Sequence, residues 1–498
     1  MSTGYALGID VGSTATKVVL CDKEGTIVAR GSVPTHIMRP QPGWAEVDYA
    51  RCWEGVVAAC RLALASIPGA ATSRRIIGIG LTSLAPSVAP LAEDGTPLHT
   101  GIIYEDRRSV SQVSRVLARE SQSTIVPRTG IRIESGSTTL SSMLWLVEER
   151  PDLVSACAFF GSLMTYLAHR LTGNFGIDWA SAQLSGLFAL DDPPRWLEDW
   201  CRQLGIPPEK LPPHMLSQAQ IGGVSAVVAA QLGVPADIPV AMGGPDAQAA
   251  AVGAGLVEPQ AGLLSVGTTC VLTVCTESRV PDPRFYTRRH VLPGRYLHVA
   301  PTLTGGTTLR WAASFLGMES VEEVVALAEA SEPGAGGVIF LPYLMGERAP
   351  LWDRDARGFF YGLQLSTGRA EMARAVVEGI AFAVRNMLTQ MEAHLDDTVA
   401  PLLVTGGGTF PVVLQTLANV LQCPLTVIEG GESAAQGAAQ LAWVAAGERD
   451  LDWLASWQPQ VQGNCVPDSS VSRMYEQRFE AFCTLYSALK RTFAAPAE

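Results

Sequence analysis

Residues 7–20 read LGIDVGSTATKVVL, and residues 262–274 read GLLSVGTTCVLTV. Each is an apolar run, a Val-Gly pair, two hydroxyl-bearing residues and a second apolar run. That order predicts a strand, a glycine turn and a returning strand. One such hairpin opening each half of the chain predicts duplication of a single α/β unit, with the two loops facing each other across a cleft. Outward from the first hairpin, apolar residues at steps of three and four predict helices over 50–67 and 140–154. A longer alanine- and valine-rich helix is predicted over 370–392, with irregular chain over 450–470. Tyr475, Phe479, Phe482, Tyr486 and Leu489 form the packing stripe of a last helix, 471–493.

The 498 residues are too many for one ordinary core, so at least two domains are expected. With 47% hydrophobic and 17% charged residues, the composition is that of a folded globular chain. A net charge of −12 argues against a nucleic acid or an anionic membrane as partner, because either needs a clustered positive surface. A small-molecule ligand is expected instead. The ten cysteines make no CxxC pair, so they predict free thiols rather than a zinc site or a disulfide framework. The start, MSTGYALGIDVG, enters a strand at once and has no leader pattern, and the expected compartment is the cytoplasm.

Neither GxxxxGK[ST] nor GxGxxG occurs, which excludes the P-loop and Rossmann phosphate sites. What remains is DVGST at 10–14. Gly12 allows close backbone approach, Ser13 and Thr14 offer hydroxyls and amides, Asp10 suits a hydrated Mg²⁺, and Lys17 can add a point charge to phosphates. A plain hairpin turn is the competing account of the same residues. Gly267 and Thr268 in the echoing loop would complete a clamp on a triphosphate. VTGGGTF at 404–410 lies at a strand–helix junction and carries more glycine than an ordinary βα turn needs, which marks Gly407 and Gly408 as a place of ligand approach. In LPYLMGERAPLWDRD, at 341–355, Glu347 and Arg348 suggest an ion pair that pins a loop. In AMGGPDAQAAAVGAG, at 241–255, Asp246 stands alone among glycines and alanines, with no basic residue near it in sequence. It reads either as the N-cap of the helix that follows or as a functional carboxylate.

Taken together these motifs resemble the FGGY carbohydrate kinases, and most of all their xylulokinase-like branch. GFFYGLQLSTGRAEMARAVVE at 358–378 is similar to that family's glycine–aromatic–glycine signature, and PGWAEVDYARCW at 42–53 places Asp and Glu as the family does. The resemblance implies an α/β fold of two actin-like, ribonuclease-H-like domains, here 1–245 and 246–498, with ATP in the cleft between them. It implies that DVGST and SVGTT are the two phosphate loops, and that Gly306 and Arg310 in GGTTLRW, with Gly407 and Gly408, flank the nucleotide. It implies Asp246 as the general base that takes the proton of a sugar hydroxyl, and ATP with Mg²⁺ as cofactors.

On the substrate side the resemblance points to Ala85 and Pro86, Asp106, and Ala247 beside Asp246. Ala85 and Pro86 stand where xylulokinases carry a Met-His pair, Ala247 where an amide is common, and Ser142 replaces the lysine of the first signature. Asp106 and Arg108, in YEDRRS, read as substrate-side or loop-ordering residues, or as a surface ion-pair cluster. The implied activity is phosphorylation of a small carbohydrate, a ketose such as xylulose. A gluconate, glycerol or other polyol kinase, or a non-catalytic ATP-binding regulator on the same fold, are the alternatives. Homodimers are common in the family, and no stretch of this sequence marks an interface.

Overall fold

A computed structural model describes residues 4–67 and 75–493. The chain forms two units. The first is Met1–Val257 with Glu277–Leu297 and Glu432–Gln458, and the second is Glu258–Thr276, His298–Gly431 and Pro459–Glu498. The division therefore falls after Val257 rather than at residue 246, and it is not sequential. The helix Asp246–Gly253 and two later segments belong with the N-terminal part.

In the first unit the predicted hairpin is Tyr5–Val11 and Ala15–Cys21, extended by Ile27–Pro34. These strands pair antiparallel, with Asp10 opposite Lys17. Ile76–Ser83 lies parallel to Tyr5–Val11, and Pro239–Pro245 lies parallel to Ile76–Ser83. Gln220–Gly223 closes the far edge. Leu7, Ile9, Leu81, Val240 and Met242 are fully buried, as expected of parallel strands covered on both faces.

The second unit repeats this order. Tyr296–Pro301, Cys270–Thr276, Gly262–Val266, Leu402–Thr405, Leu425–Ile428 and Val461–Cys465 follow one another across a sheet. Gly262–Val266 pairs antiparallel with Cys270–Thr276 and parallel with Leu402–Thr405. The echo seen in the sequence is thus an echo of topology, with each glycine loop joining the same two strand positions. The long helix runs Arg369–Leu395 and is largely buried, and the last helix runs Ser472–Phe493 with Tyr475, Phe479, Phe482 and Tyr486 inward.

Two local expectations change. The stretch 140–154 is not one helix, because Pro151 has no N–H to continue the ladder and starts a second helix, Pro151–Ala156, after Thr139–Glu149. The stretch 450–470 is not irregular throughout: it holds the helix Leu451–Ser456 and the edge strand Val461–Cys465. That strand alternates Gln, Gly and Asn with few apolar residues, which hid it from a periodicity reading.

The alanine-rich helix Ser433–Ala445 belongs to the first unit because it seats directly on the sheet. A Cβ on Gly8 would lie 1.8 Å from the Ala435 carbonyl oxygen, and one on Gly80 would lie 1.8 Å from that of Ala438. Backbone thus meets backbone where only hydrogen fits. Gly80→Ala should destabilise the protein by about 1–3 kcal/mol or more, because neither main chain can yield locally. The urea midpoint of Gly80→Ala against wild type measures this, and an unchanged midpoint would refute the contact.

Candidate active site

In the first unit, functional side chains gather at the carboxyl ends of the parallel strands, where open α/β sheets place their ligands. Asp10 is paired in register with Thr82, and Gly244, two residues before Asp246, is paired with the same Thr82. Asp10 Oδ1 and Thr82 Oγ1 are both buried without a hydrogen-bond partner. Burial, and then the negative charge of Asp246, push the Asp10 carboxyl up to about 7, with Lys17 opposing. The turn is closed by the Gly12 N–H donating to the Ala15 carbonyl at 3.1 Å, and Thr14 is exposed at the tip. The plain-turn account therefore explains the hydrogen bonding of Gly12 but not the orphaned oxygen of Asp10.

Asp246 is the first residue of the helix Asp246–Gly253, with Pro245 at the cap position. Its Oδ1 accepts only the N–H of its neighbour Ala247, at 2.7 Å, so it does not cap the following turn. Burial raises its carboxyl to about 6, opposed by the Ala247 N–H and by Arg288. No basic residue is near Asp246 in sequence, and the charge that reaches it is that of Arg288, from the strand Tyr286–Arg289 in the returning segment Glu277–Leu297. Tyr104 also joins the site. Its hydroxyl donates to Ser13 Oγ at 3.3 Å, and burial raises its phenol, with the charge of Asp246 acting the same way.

Both residues left signals in the sequence. Consecutive arginines in FYTRRHVL must point to opposite faces of a strand, so one points inward, and an aromatic stands at the head of the polar loop YEDRRS.

The other substrate-side residues divide. Ala85 and Pro86 line a cavity together with Ser87, Met143, Phe160, Ser181 and Trp196. Ala247 is exposed and contributes its N–H. Asp106 is buried, which excludes the surface cluster. It accepts the Ala45 N–H at 2.7 Å, the Arg108 N–H at 2.8 Å and the Arg108 guanidinium. The same guanidinium reaches Glu46 at 2.6 Å and lies 3.6 Å over the Trp44 ring. Asp106 thus spends its oxygens within the protein, and the loop-ordering account of this pair is the one that fits.

In the second unit three glycine segments are bonded to one another. The Gly306 N–H donates to the Gly267 carbonyl and the Thr307 N–H to the Thr268 carbonyl, both at 2.9 Å. Thr307 Oγ1 also donates to the Thr268 carbonyl, and Arg310, exposed, donates to Thr307 Oγ1 at 3.1 Å. The Gly408 N–H donates to the Val266 carbonyl at 2.9 Å, while Gly407 faces open space. Gly306 and Gly408 therefore let strands and loops approach, and Gly407, Thr268 and Arg310 are the more accessible positions.

Glu347 is buried, and its carboxylate accepts the Leu303 N–H, the Thr304 hydroxyl and the Arg348 N–H. It braces the segment before Gly305 rather than forming the expected side-chain ion pair with Arg348. Burial pushes its carboxyl up to about 7.

The orphaned oxygens of Asp10 and Thr82 test the site for a metal. Two unsatisfied buried oxygens at one sheet edge fit a hydrated cation. Among the described residues no group of three acidic, histidine or cysteine ligands forms a cage. That matches Mg²⁺, which keeps its waters and leans on one carboxylate and on phosphate oxygens.

Residues 5–253 match the model of the N-terminal domain of the FGGY family of carbohydrate kinases, and residues 262–446 match that of its C-terminal domain. The chain is 29% identical to the xylulose kinase of Escherichia coli (strain K12) over 488 residues, 97% of this chain and 99% of that protein. It is 27% identical to the gluconokinase of Bacillus subtilis (strain 168) over 461 residues, 90% of this chain and 89% of the relative. The crystal structure of xylulose kinase from Rhodospirillum rubrum superposes with a TM-score of 0.90 at 30% identity, covering 99% of this chain and 100% of that one.

The raised carboxyl of Asp10 has a consequence for stability. Its pKa rises on folding, so the folded state binds the proton more tightly, and ionisation costs stability as pH climbs from about 4 through 7. Asp10→Asn should therefore raise the melting temperature of the ligand-free protein at pH 8, and the gain should shrink as pH falls to 5. Thermal scans of both proteins across that range check the sign.

Proposed function

Because this chain belongs to the FGGY family of carbohydrate kinases, we propose that it transfers the γ-phosphoryl group of ATP to a hydroxyl of a small carbohydrate, with Asp246 as general base. The observation that carries the assignment is the Asp246 carboxylate, half-buried at the carboxyl edge of the parallel strands and, among the described residues, hydrogen-bonded to the Ala247 N–H alone. Its carboxyl, raised to about 6, is still ionised at neutral pH and more basic than an ordinary aspartate, which suits proton abstraction.

The acceptor oxygen attacks the γ-phosphorus in line, its proton passes to Asp246, and the bond to the bridging oxygen breaks to leave ADP. Mg²⁺, held through Asp10 and the phosphates, would neutralise the charge of the triphosphate. Lys17 adds positive charge beside Asp10, and the Ser13 and Thr14 loop takes the phosphate oxygens. Tyr104 fixes Ser13 and walls the acceptor side. In the second unit, Gly267, Thr268, Gly306 and Arg310 hold the polar part of the nucleotide, with Gly407 and Gly408 towards its base. Glu347 keeps the Leu303–Gly305 segment in place for that role.

Two acceptor classes are compatible with this chemistry. A ketose such as xylulose follows the name of the Escherichia coli relative, and a sugar acid follows that of the Bacillus subtilis one. Arg288, beside the base, is the specific observation that favours the second. The ten free cysteines and the absence, among the described residues, of any helix long and apolar enough to cross a membrane accord with a cytoplasmic enzyme.

A coupled ADP-release assay over ketoses, alditols and aldonates tests the reading. Asp246→Asn should lower turnover by about 10²–10⁴-fold while ATP binding persists. In the wild type kcat/KM should fall on the acid side of pH 6, as Asp246 takes up a proton. Wild-type turnover by the variant would remove Asp246 from the mechanism.

A further inference from the structure

The strand Tyr286–Arg289, next to Tyr296–Pro301 at the edge of the seven-stranded sheet, is hydrogen-bonded to Gly130 and Gln183. The Thr287 N–H donates to the Gly130 carbonyl at 2.9 Å, Gln183 Nε2 donates to the Thr287 carbonyl at 2.8 Å, and the Arg289 N–H donates to Gln183 Oε1 at 2.7 Å. His290 Nε2 lies 3.0 Å from the carbonyl of Leu256, just past the Asp246 helix. A Cβ on Gly244 would come within 3.2 Å of Val291 Cγ1, so this segment runs beside the strand that delivers Asp246.

The two arginines of the strand differ. Arg289 spends its Nη2 on the carbonyls of Leu190 and Asp191. Arg288 packs its guanidinium 5.1 Å over the Tyr286 ring and buries Nε without a partner. Among the described residues no carboxylate pairs with it. Asp246 and Arg288 feel each other's charge without forming an ion pair.

A guanidinium removed from water with no anion to meet it is unfavourable, and one partly open beside a base is poised for an anionic ligand. Its planar fork matches a carboxylate in bidentate fashion.

We propose that Arg288 is a specificity-determining residue that binds the carboxylate of the acceptor, so that the substrate class is a polyhydroxy carboxylic acid of the aldonate type rather than a neutral ketose or alditol. This rests on the assignment of Asp246 as base. The other anion that could meet Arg288 is the phosphoryl group in transfer, and the test separates the two.

Wild type, Arg288→Met and Arg288→Lys are assayed with gluconate and xylonate and with the matching alditols and xylulose, and acid binding is measured by calorimetry independently of turnover. The expected result is that Arg288→Met lowers kcat/KM for the acids by about 10–100-fold more than for the neutral acceptors, the loss of one charge-assisted contact beyond any effect on the base that all acceptors share. Arg288→Lys should restore part of the loss, which also shows that the site still folds. Calorimetry should show acid binding weakened to the same degree. If turnover is absent with every acceptor but acid binding still depends on Arg288, the kinase assignment fails and the role of Arg288 stands. The inference is overturned if the acids do not bind the wild type, or if Arg288→Met lowers kcat equally for acidic and neutral acceptors, which would assign the arginine to the phosphoryl group.

Discussion

The first unit is built around a contact in which backbone touches backbone. The helix Ser433–Ala445 presses its main chain onto Gly8 and Gly80 in adjacent parallel strands, and Gly437 in turn meets the Ala249 carbonyl of the helix that begins at Asp246, where a Cβ would lie 2.0 Å away. Alanines on the helix and glycines on the strands bring the sheet, the late helix and the Asp246 helix into one layer. Because the strands cannot shift beneath that helix, their carboxyl ends are set in fixed register, and so are Asp10, Thr82 and Asp246. The accuracy of the site follows from the absence of side chains behind it.

That edge then concentrates unfavourable charge. Two carboxylates are kept there with only partial compensation, Lys17 acting on Asp10 and Arg288 on Asp246, and the charge of Asp246 adds to burial in raising Asp10. A protein selected for stability alone would neutralise them. Here the oxygens of Asp10 and Thr82 and the Arg288 Nε are buried without a hydrogen-bond partner, as groups at a ligand site are. The second unit contrasts with this. Its glycine loops satisfy one another, and Glu347 braces the neighbouring segment with three hydrogen bonds. A scaffold that binds a nucleotide through backbone and approach needs fixed loops more than reactive charge.

Much of this was legible in the chain. The hairpin LGIDVGSTATKVVL and its echo depend on local pattern, so strand, turn, strand and the duplication they announce could be read directly, as could the glycine-flanked Asp246. The residues misjudged were those whose meaning depends on distant partners. Pro151 was enough to divide a helix, but the strand Val461–Cys465 exists only because Leu425–Ile428 offers it an edge to pair with. For Asp106 the sequence left a substrate-side, a loop-ordering and a surface-cluster reading open, and its burial against Arg108 removes the last. Glu347 accepts the Arg348 backbone N–H, the Leu303 N–H and the Thr304 hydroxyl instead of pairing with the Arg348 side chain.

By itself, then, the sequence determined the class of fold and the family and singled out Asp246, because alternation, glycine turns and an isolated acid are short-range properties of a chain. Only the tertiary structure decided that Asp10 and Asp246 share one sheet edge, that Tyr104 stands against Ser13, and that Arg288 returns from the Glu277–Leu297 segment to sit beside the base. Parallel pairing and packing join residues far apart in sequence, and the electrostatics of the site arise from those long-range contacts.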